Sequence, residues 1–248
     1  MAGATVLGRL IWSAAELVEA NAETPRTRTL AFVVPGWEGH RPGQHVDVRL
    51  TAEDGYQAQR SYSIASAPDR GHVSITVERL EDGEVSPYLV DELRPGDAIE
   101  LRGPIGGYFV WDAVDPSPLL LVAGGSGVVP LMSMLRHHAA LRSEVPARLL
   151  YSSRTCAEVI YRNELERLVS RRVEVTHTLT REQPPGWQGY SRRIDVDMLA
   201  EVAWPAADQP AAFVCGPTRL VEAVAESLVT LGYEPARVKT ERFGPTGG

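Results

Sequence analysis

The chain has 248 residues, enough for about one to two domains, and its 44% hydrophobic and 23% charged residues argue against a disordered or collagen-like chain. A net charge of -7 argues against a general nucleic-acid-binding protein, which would carry a basic excess. Two cysteines, Cys156 and Cys215, are too few for a disulfide framework or an iron–sulfur cluster. Since no apolar run reaches the roughly 18 residues of a membrane span and the N-terminus lacks a signal-peptide core, we expect no membrane span and a cytoplasmic location.

Short segments rich in Val, Ile and Thr dominate the first half of the chain. Several alternate apolar and polar residues, and turn residues separate them, which is the pattern of antiparallel strands. One helix, from about Ser86 to Leu93, interrupts the series. Five or six short strands with one helix predict a small antiparallel barrel. The predicted strands are 12–21, 29–35, 45–50, 60–66, 72–80 and 98–103.

Strands and helices alternate in the second half. This order predicts a parallel, doubly wound sheet with helices on both faces. A connector with two prolines and two acids, residues 112–118, separates the halves, so we predict domains at 1–112 and 117–248. The predicted strands are 119–124, 147–153, 172–179, 211–216 and 237–243, and the predicted helices are 130–143, 161–170, 195–202 and 217–231.

A predicted barrel strand carries Arg60-Ser61-Tyr62-Ser63. Alternate side chains of a strand share a face, so Arg60 and Tyr62 are expected on one side and Ser61 and Ser63 on the other. A guanidinium can hold a phosphate through two hydrogen bonds, a tyrosine ring can stack on a flat heterocycle, and a hydroxyl can bond a ring nitrogen. The alternative is an ordinary half-buried strand with one exposed arginine.

Three further motifs lie where the chain enters a helix. The first runs from Asp82 to Ser86, which we predict to be the N-cap of the barrel helix, and exposed amides at a helix start bind anions. The second, GGSGVVP at 124–130, follows a buried strand at the first strand-to-helix turn of the parallel sheet, where glycines let backbone approach a pyrophosphate. The third is Cys215-Gly216-Pro217, at another turn of the same edge, where the cysteine has the alternative of being a small buried hydrophobe.

Together these motifs, in this order and at these separations, resemble the ferredoxin–NADP reductase superfamily of flavoprotein reductases. The similarity runs from Pro42 to the terminal ERFGPTGG, a tail that also resembles the reductase domains of flavohaemoglobins and oxygenases. The resemblance implies an antiparallel six-stranded flavin-binding barrel followed by a parallel doubly wound nucleotide-binding domain. It also implies a stand-alone reductase, because no cysteine cluster of a fused ferredoxin is present. One departure is Arg192, which stands where the family has glycine and puts the local turn in question.

The resemblance also implies roles for individual residues. Ser63, Cys215 and Glu241 would be catalytic, with Ser63 near flavin N5 and Cys215 near the nicotinamide from which hydride leaves. Arg60 would hold the flavin diphosphate and Tyr62 would lie against the flavin ring. Binding by the Gly83–Ser86 motif marks FAD rather than FMN. The remaining cofactor-binding residues are Ser61, Ser66, Gly83, Val85, Ser86, Gly124, Gly125, Ser126, Gly127, Pro130, Gly216, Pro217 and Phe243.

The expected activity is transfer of hydride from NADPH to bound FAD and of single electrons to a separate redox protein, such as a ferredoxin or a haem or oxygenase partner. Two alternatives remain open: a reductase of free flavin or ferric iron, and an electron-transfer subunit of a larger redox complex. The six histidines show no spacing typical of a metal site, so no metal is expected.

The coenzyme prediction rests on the end of the second parallel strand. An NAD site usually places an acid there for the ribose 2′-hydroxyl, whereas an arginine accommodates a 2′-phosphate. Here the segment 151–154 contains no acid. NADPH is therefore expected rather than NADH, and the alternative is a polar surface loop. The candidate residues are Ser152, Ser153, Arg154, Tyr161 and Arg162.

Overall fold

A computed structural model describes residues 10–243 and contains two sheets. The first is a six-stranded antiparallel sheet in the order β4-β3-β6-β1-β2-β5. Its strands are β1 (Ser13–Thr24), β2 (Thr27–Val33), β3 (His45–Thr51), β4 (Gln57–Ser63), β5 (His72–Glu78) and β6 (Ala98–Ile105), and a helical turn (Tyr88–Glu92) lies between β5 and β6.

The first sheet closes into a barrel where β4 ends. Ile64 forms an antiparallel bridge with Ile75, and the Ala65 amide donates to the Ser74 carbonyl at 2.7 Å. Ile64 and Ile75 point inward and are fully buried, as apolar positions of a period-two strand should be. The strand predicted over 60–66 therefore ends at Ser63, because the chain leaves β3 and turns onto β5.

The second sheet is parallel, in the order β11-β10-β7-β8-β9. All six residues of β7 are buried, which explains its continuous apolar run. Helices α1 and α2 pack on one face, and α3 and α4 on the other. The elements are β7 (Leu119–Gly124), β8 (Ala147–Ser153), β9 (Val173–Leu179), β10 (Ala211–Pro217), β11 (Val238–Phe243), α1 (Val128–Ala140), α2 (Arg162–Leu168), α3 (Val196–Val202) and α4 (Thr218–Thr230).

Helix α1 joins the two halves. The Ser133 hydroxyl donates to the Ser66 carbonyl at 2.6 Å, and the Arg136 guanidinium donates to the Ala65 carbonyl at 2.8 Å. These hydrogen bonds attach the barrel segment that follows β4 to helix α1 of the second half. The predicted six-stranded barrel and doubly wound sheet are confirmed. Across residues 10–243, no helix is long and apolar enough to span a membrane.

Arg192 stands where the family has glycine, and the structure shows how the arginine is accommodated. Its backbone is not among the positive-φ positions, so no left-handed turn is required there. Its carbonyl accepts a hydrogen bond from the Thr178 hydroxyl, and its guanidinium contacts both carboxylate oxygens of Asp195 at 2.6 Å. Asp195 also caps α3, so Arg192 supports the start of that helix.

Candidate functional site

The flavin-side motifs meet at Arg60. Its guanidinium donates to the Glu84 carboxylate at 2.7 Å, although the two residues are 24 positions apart. Glu84 also accepts from the Tyr56 hydroxyl at 2.8 Å, and these two hydrogen bonds lower the pKa of Glu84. The structure thus brings the basic residue of β4 to the Gly83–Ser86 segment, as the sequence predicted.

Gly83 lies where there is little room for a side chain. A Cβ there would lie 2.8 Å from the Ser86 hydroxyl oxygen and 3.1 Å from the Leu80 carbonyl oxygen. The prediction that Ser86 caps the helix is wrong, because its hydroxyl accepts from the Leu80 amide at 3.0 Å and closes the preceding turn instead. The Val85 side chain is buried in the barrel core, so only its backbone is available to a ligand.

Ser61 and Tyr62 lie on opposite faces of β4. The Ser61 hydroxyl donates to Asp47 at 2.6 Å, and Asp47 pairs with Arg102 at 2.5 Å on the outside of the barrel. The Ser61 hydroxyl thus supports the neighbouring strand β3 in this structure. Tyr62 packs against the barrel core, and burial raises the pKa of its hydroxyl to about 12.

A groove of about 510 Å³ adjoins the Arg60–Glu84 pair. Its walls include Tyr56, Ala58, Glu84 and Tyr88, so two tyrosine rings and apolar surface lie beside the charged pair. Such a lining suits a flat heterocycle with a polar edge.

The two strand-to-helix turns of the parallel sheet interlock. A Cβ on Gly127 would lie 2.2 Å from the Cys215 carbonyl oxygen, and a Cβ on Gly216 would lie 3.1 Å from the Gly124 amide nitrogen. Only glycine permits this approach. In the turn that precedes α1, residues 124–127, Ser126 is therefore the only residue with a side chain. Pro130 is buried in the first turn of α1. Strand β5 of the barrel passes beside this turn.

Cys215 and Glu241 face each other across β10 and β11. Burial raises the pKa of the Cys215 thiol well above its usual value, and the Glu241 charge raises it further. Burial also raises the pKa of Glu241 to about 7. Phe243 is one of the last described residues, lies opposite Pro217 and keeps 38% of its surface exposed. The residues after Phe243 in the matching tail, 244–248, lie outside the described part of the chain.

The ends of β8 and β9 form a second polar edge. The Ser153 carbonyl accepts from the Thr180 amide at 3.0 Å, and the Arg154 carbonyl accepts from the Arg181 amide at 2.9 Å. The buried Ser153 hydroxyl has no hydrogen-bond partner, and the exposed guanidinium groups of Arg154 and Arg181 have no carboxylate partner among residues 10–243. Sequence reasoning missed Arg181, because only the pairing of β8 with β9 brings it beside Arg154.

Three predicted cofactor residues lie elsewhere. Tyr161 is 2% exposed and hydrogen-bonds to Thr76 of the barrel, so its hydroxyl does not reach the β8 edge. Arg162 pairs with Glu166 at 3.2 Å on the surface of α2. The Ser66 hydroxyl accepts from the Ser74 amide at 3.1 Å, which helps close the barrel. Helix packing and barrel closure account for the contacts that these three side chains make in the structure.

Two family models match the chain: an oxidoreductase FAD-binding domain over residues 14–110 and an oxidoreductase NAD-binding domain over residues 121–226. The ferredoxin–NADP reductase B of Sorangium cellulosum is 37% identical over 240 residues, covering 92% of this chain and 96% of that protein. The chain belongs to the ferredoxin–NADP reductase family. The FAD-binding and NAD-binding domains are therefore those of a flavin- and nicotinamide-dependent oxidoreductase.

Other members of the ferredoxin–NADP reductase family extend the comparison. The glycine betaine monooxygenase reductase subunit of Pseudomonas aeruginosa is 34% identical over 237 residues. The matched region covers 92% of this chain but 63% of that longer protein. Among solved structures, the flavohaem-like FAD/NAD-binding domain of the Vibrio cholerae nitric oxide dioxygenase superposes with a TM-score of 0.85. That domain is 24% identical and covers 94% of this chain and 99% of its own, which shows the shared fold.

Proposed function

We propose that the protein passes hydride from NADPH to bound FAD and then single electrons to a separate redox protein, such as a ferredoxin or an oxygenase component. Support comes from two of its relatives, a ferredoxin–NADP reductase and a monooxygenase reductase subunit. When bound, FAD supplies the redox chemistry, since it takes two electrons from a nicotinamide and releases them one at a time. The protein itself has to bind FAD and the nicotinamide, orient them and shield them from solvent.

The link through α1 is the observation that carries this proposal. Gly127 directly precedes α1, and Ser133 lies six residues further along that helix. The Ser133 hydroxyl donates to the carbonyl of Ser66, which is three residues after Ser63 at the end of β4. Six residues of helix span about 9 Å, so the glycine turn and the end of β4 are held near each other. That is the arrangement required when a nicotinamide must lie against a flavin.

The residues of both domains fit the parts of FAD and NADPH that we propose they bind. Arg60 offers a guanidinium to the FAD diphosphate, and the groove beside Tyr56 and Tyr88 is our proposed place for its adenosine half. The interlocked glycines around Gly127 keep side chains out of the turn before α1, where we propose that a pyrophosphate binds. We propose that Ser63 and Phe243 contact the flavin ring.

Cys215 and Glu241 provide a surface of low negative charge beside the proposed nicotinamide position. The Cys215 pKa is raised, so the thiol stays protonated and does not act as a nucleophile. The Glu241 pKa of about 7 leaves a large protonated fraction at neutral pH. We propose that Glu241 holds a proton near the reacting groups while keeping local negative charge low.

NADPH is our proposed coenzyme. Arg154 and Arg181 offer two exposed guanidinium groups at one sheet edge. A dianionic 2′-phosphate would pair with both of them, whereas the uncharged 2′-hydroxyl of NADH would not. The Sorangium cellulosum relative, a ferredoxin–NADP reductase, agrees with this choice.

We propose that the FAD-binding domain comprises residues 1–112 and the nucleotide-binding domain residues 117–248, on either side of the connector. We also propose a cytoplasmic location, because both cysteines are free thiols, as is usual in a reducing compartment.

Anaerobic titration tests the proposed function. The purified protein should carry FAD, and NADPH should bleach that flavin before an added ferredoxin or cytochrome c is reduced. Loss of the flavin on gel filtration would instead indicate a reductase of free flavin. Failure of NADPH and NADH to bleach retained FAD would indicate an electron-transfer subunit that needs another component.

A further inference from the structure

Tyr161 has an unusual backbone and an unusual location. Its φ is +60°, in the left-handed region that a bulky residue rarely adopts, and its side chain is 2% exposed. Such a conformation persists where the surrounding structure over-determines it, and it is often found at functional positions. Tyr161 directly precedes α2, and its hydroxyl bonds across to the barrel, so its ring lies between the nucleotide-binding domain and the barrel.

The Tyr161 hydroxyl begins a chain of hydrogen bonds into the barrel. It bonds to Thr76 of β5, Thr76 bonds to Thr29 of β2 at 2.8 Å, and Thr29 donates to the Glu23 carboxylate at 2.6 Å. Each hydroxyl has one proton. Since the proton of Thr29 goes to Glu23, Thr76 must donate to Thr29, and Tyr161 must donate to Thr76.

Arg136 holds the same ring from the other side. Its guanidinium carbon lies 4.8 Å from the centre of the Tyr161 ring. The guanidinium also donates to both oxygens of Glu164, at 2.9 and 2.6 Å, and to the Ala65 carbonyl at 2.8 Å. A single side chain of α1 thus contacts α2, Tyr161 and the barrel.

The barrel atom that Arg136 holds is close to the proposed flavin contacts. Ala65 follows Ser63 by two residues, and its amide closes the barrel onto Ser74. A shift of α1 or α2 against the barrel would therefore move the end of β4 relative to the glycine turn that precedes α1.

We propose that Tyr161 and Arg136 are positioning residues that lock the nucleotide-binding domain onto the barrel and so set the separation between nicotinamide and flavin. The inference rests on the proposed function. Burial raises the pKa of the Tyr161 hydroxyl to about 12, so its proton is present over the whole physiological pH range. The lock therefore persists at every pH at which the enzyme would work.

Tyr161→Phe tests the lock with the least disturbance, because it removes one hydroxyl and leaves the ring under Arg136. Thr76→Val breaks the same bond from the barrel side. Tyr233→Phe is the matched control, since its buried hydroxyl donates to the Trp204 carbonyl at 2.6 Å within the nucleotide-binding domain. The double variant Tyr161→Phe with Thr76→Val measures whether the two residues act as one unit.

Stopped-flow reduction of the flavin at saturating NADPH gives the first readout. We expect Tyr161→Phe and Thr76→Val each to slow reduction about tenfold, because small displacements of reacting groups are costly in rate. FAD content and the Kd for NADP⁺ should stay within about twofold of wild type, since neither residue contacts a cofactor in our proposal. The double variant should be no slower than either single variant, and Tyr233→Phe should match wild type.

Hydrogen exchange on the FAD-free protein gives a second readout that needs no activity. Both interface variants should exchange faster than Tyr233→Phe in α2 and β5. Unchanged exchange there, or a reduction rate equal to that of Tyr233→Phe, would overturn the lock. If NADPH and NADH both fail to reduce wild-type flavin, the proposed function is wrong, and the exchange comparison still decides whether the interface is locked.

Discussion

Arg60 is the cation on which the proposed diphosphate site depends. Its carboxylate partner, Glu84, is half exposed, so the guanidinium is accessible to a stronger anion. Replacing Arg60 with alanine should weaken FAD binding about tenfold to a hundredfold, because a charged hydrogen bond is worth roughly 1.5–3 kcal/mol. Titration of flavin-free protein with FAD measures this. Arg167→Ala, an exposed arginine of α2, should bind FAD like wild type, and equal affinity in both variants would remove Arg60 from the site.

Arg154 and Arg181 should discriminate between the coenzymes. Arg154→Ala and Arg181→Ala should each lower kcat/KM for NADPH about tenfold to a hundredfold and leave NADH nearly unchanged, since only NADPH carries the 2′-phosphate. Steady-state kinetics with both coenzymes measure this difference. A wild-type enzyme that prefers NADH, or a variant that slows both coenzymes equally, would show that this edge does not read the 2′-phosphate.

Glu241 should make stability depend on pH. Its pKa is about 7 in the folded protein and 4.5 as an ordinary glutamate, so the folded state retains a proton that the unfolded state releases. The resulting stabilisation is present below about pH 4.5 and is lost as pH rises through about 7. The Tm of flavin-free wild type should therefore fall between these values, and Glu241→Gln should flatten the fall. Glu226→Gln, at an exposed site, is the control and should show the same dependence of Tm on pH as wild type. If the Tm of Glu241→Gln fell with pH as steeply as the Tm of these two proteins, the raised pKa of Glu241 would be contradicted.

At the scale of elements, the contact between the turn before α1 and the end of β10 leaves no room for a side chain. In Gly127→Ala, the new Cβ would meet the Cys215 carbonyl oxygen at 2.2 Å, so backbone must shift. We expect a loss of roughly 1–3 kcal/mol in unfolding free energy, the usual cost of overpacking, together with weakened NADP⁺ binding. Denaturant unfolding and NADP⁺ titration measure both effects. Gly107→Ala, where a Cβ meets nothing within 4 Å, should behave as wild type, and a Gly127→Ala variant that does so too would disprove the close contact.

At the scale of the whole molecule, FAD should stabilise the fold by binding the native state. At a free concentration about a hundred times its Kd, a ligand adds about 2.7 kcal/mol, which corresponds to roughly 5–10 °C in Tm for a chain of this size. Removing FAD should lower the Tm by this amount, and adding FAD should restore it. FMN should restore less, because it lacks the second phosphate and the adenosine that we place beside Tyr56. Equal recovery with both flavins would argue against that placement.

Local chemistry determined the elements and the main motifs. The buried run of β7, the alternation of the barrel strands and the glycine-rich turns are readable in sequence, because each depends on residues within a few positions of one another. The order of those elements also determined the two-domain architecture, since strand–helix alternation admits few topologies.

Only the tertiary structure decided which polar groups remain available to a cofactor. Ser61 is bonded to Asp47 on a neighbouring strand, and Tyr161 is bonded to Thr76, 85 residues away in the other domain. Pairing of β8 with β9 places Arg181 beside Arg154. A side chain's partner across strands or domains depends on register and packing between distant segments. Residue type and spacing therefore indicate what a group can bind, and the packed structure decides whether that group is free to bind it.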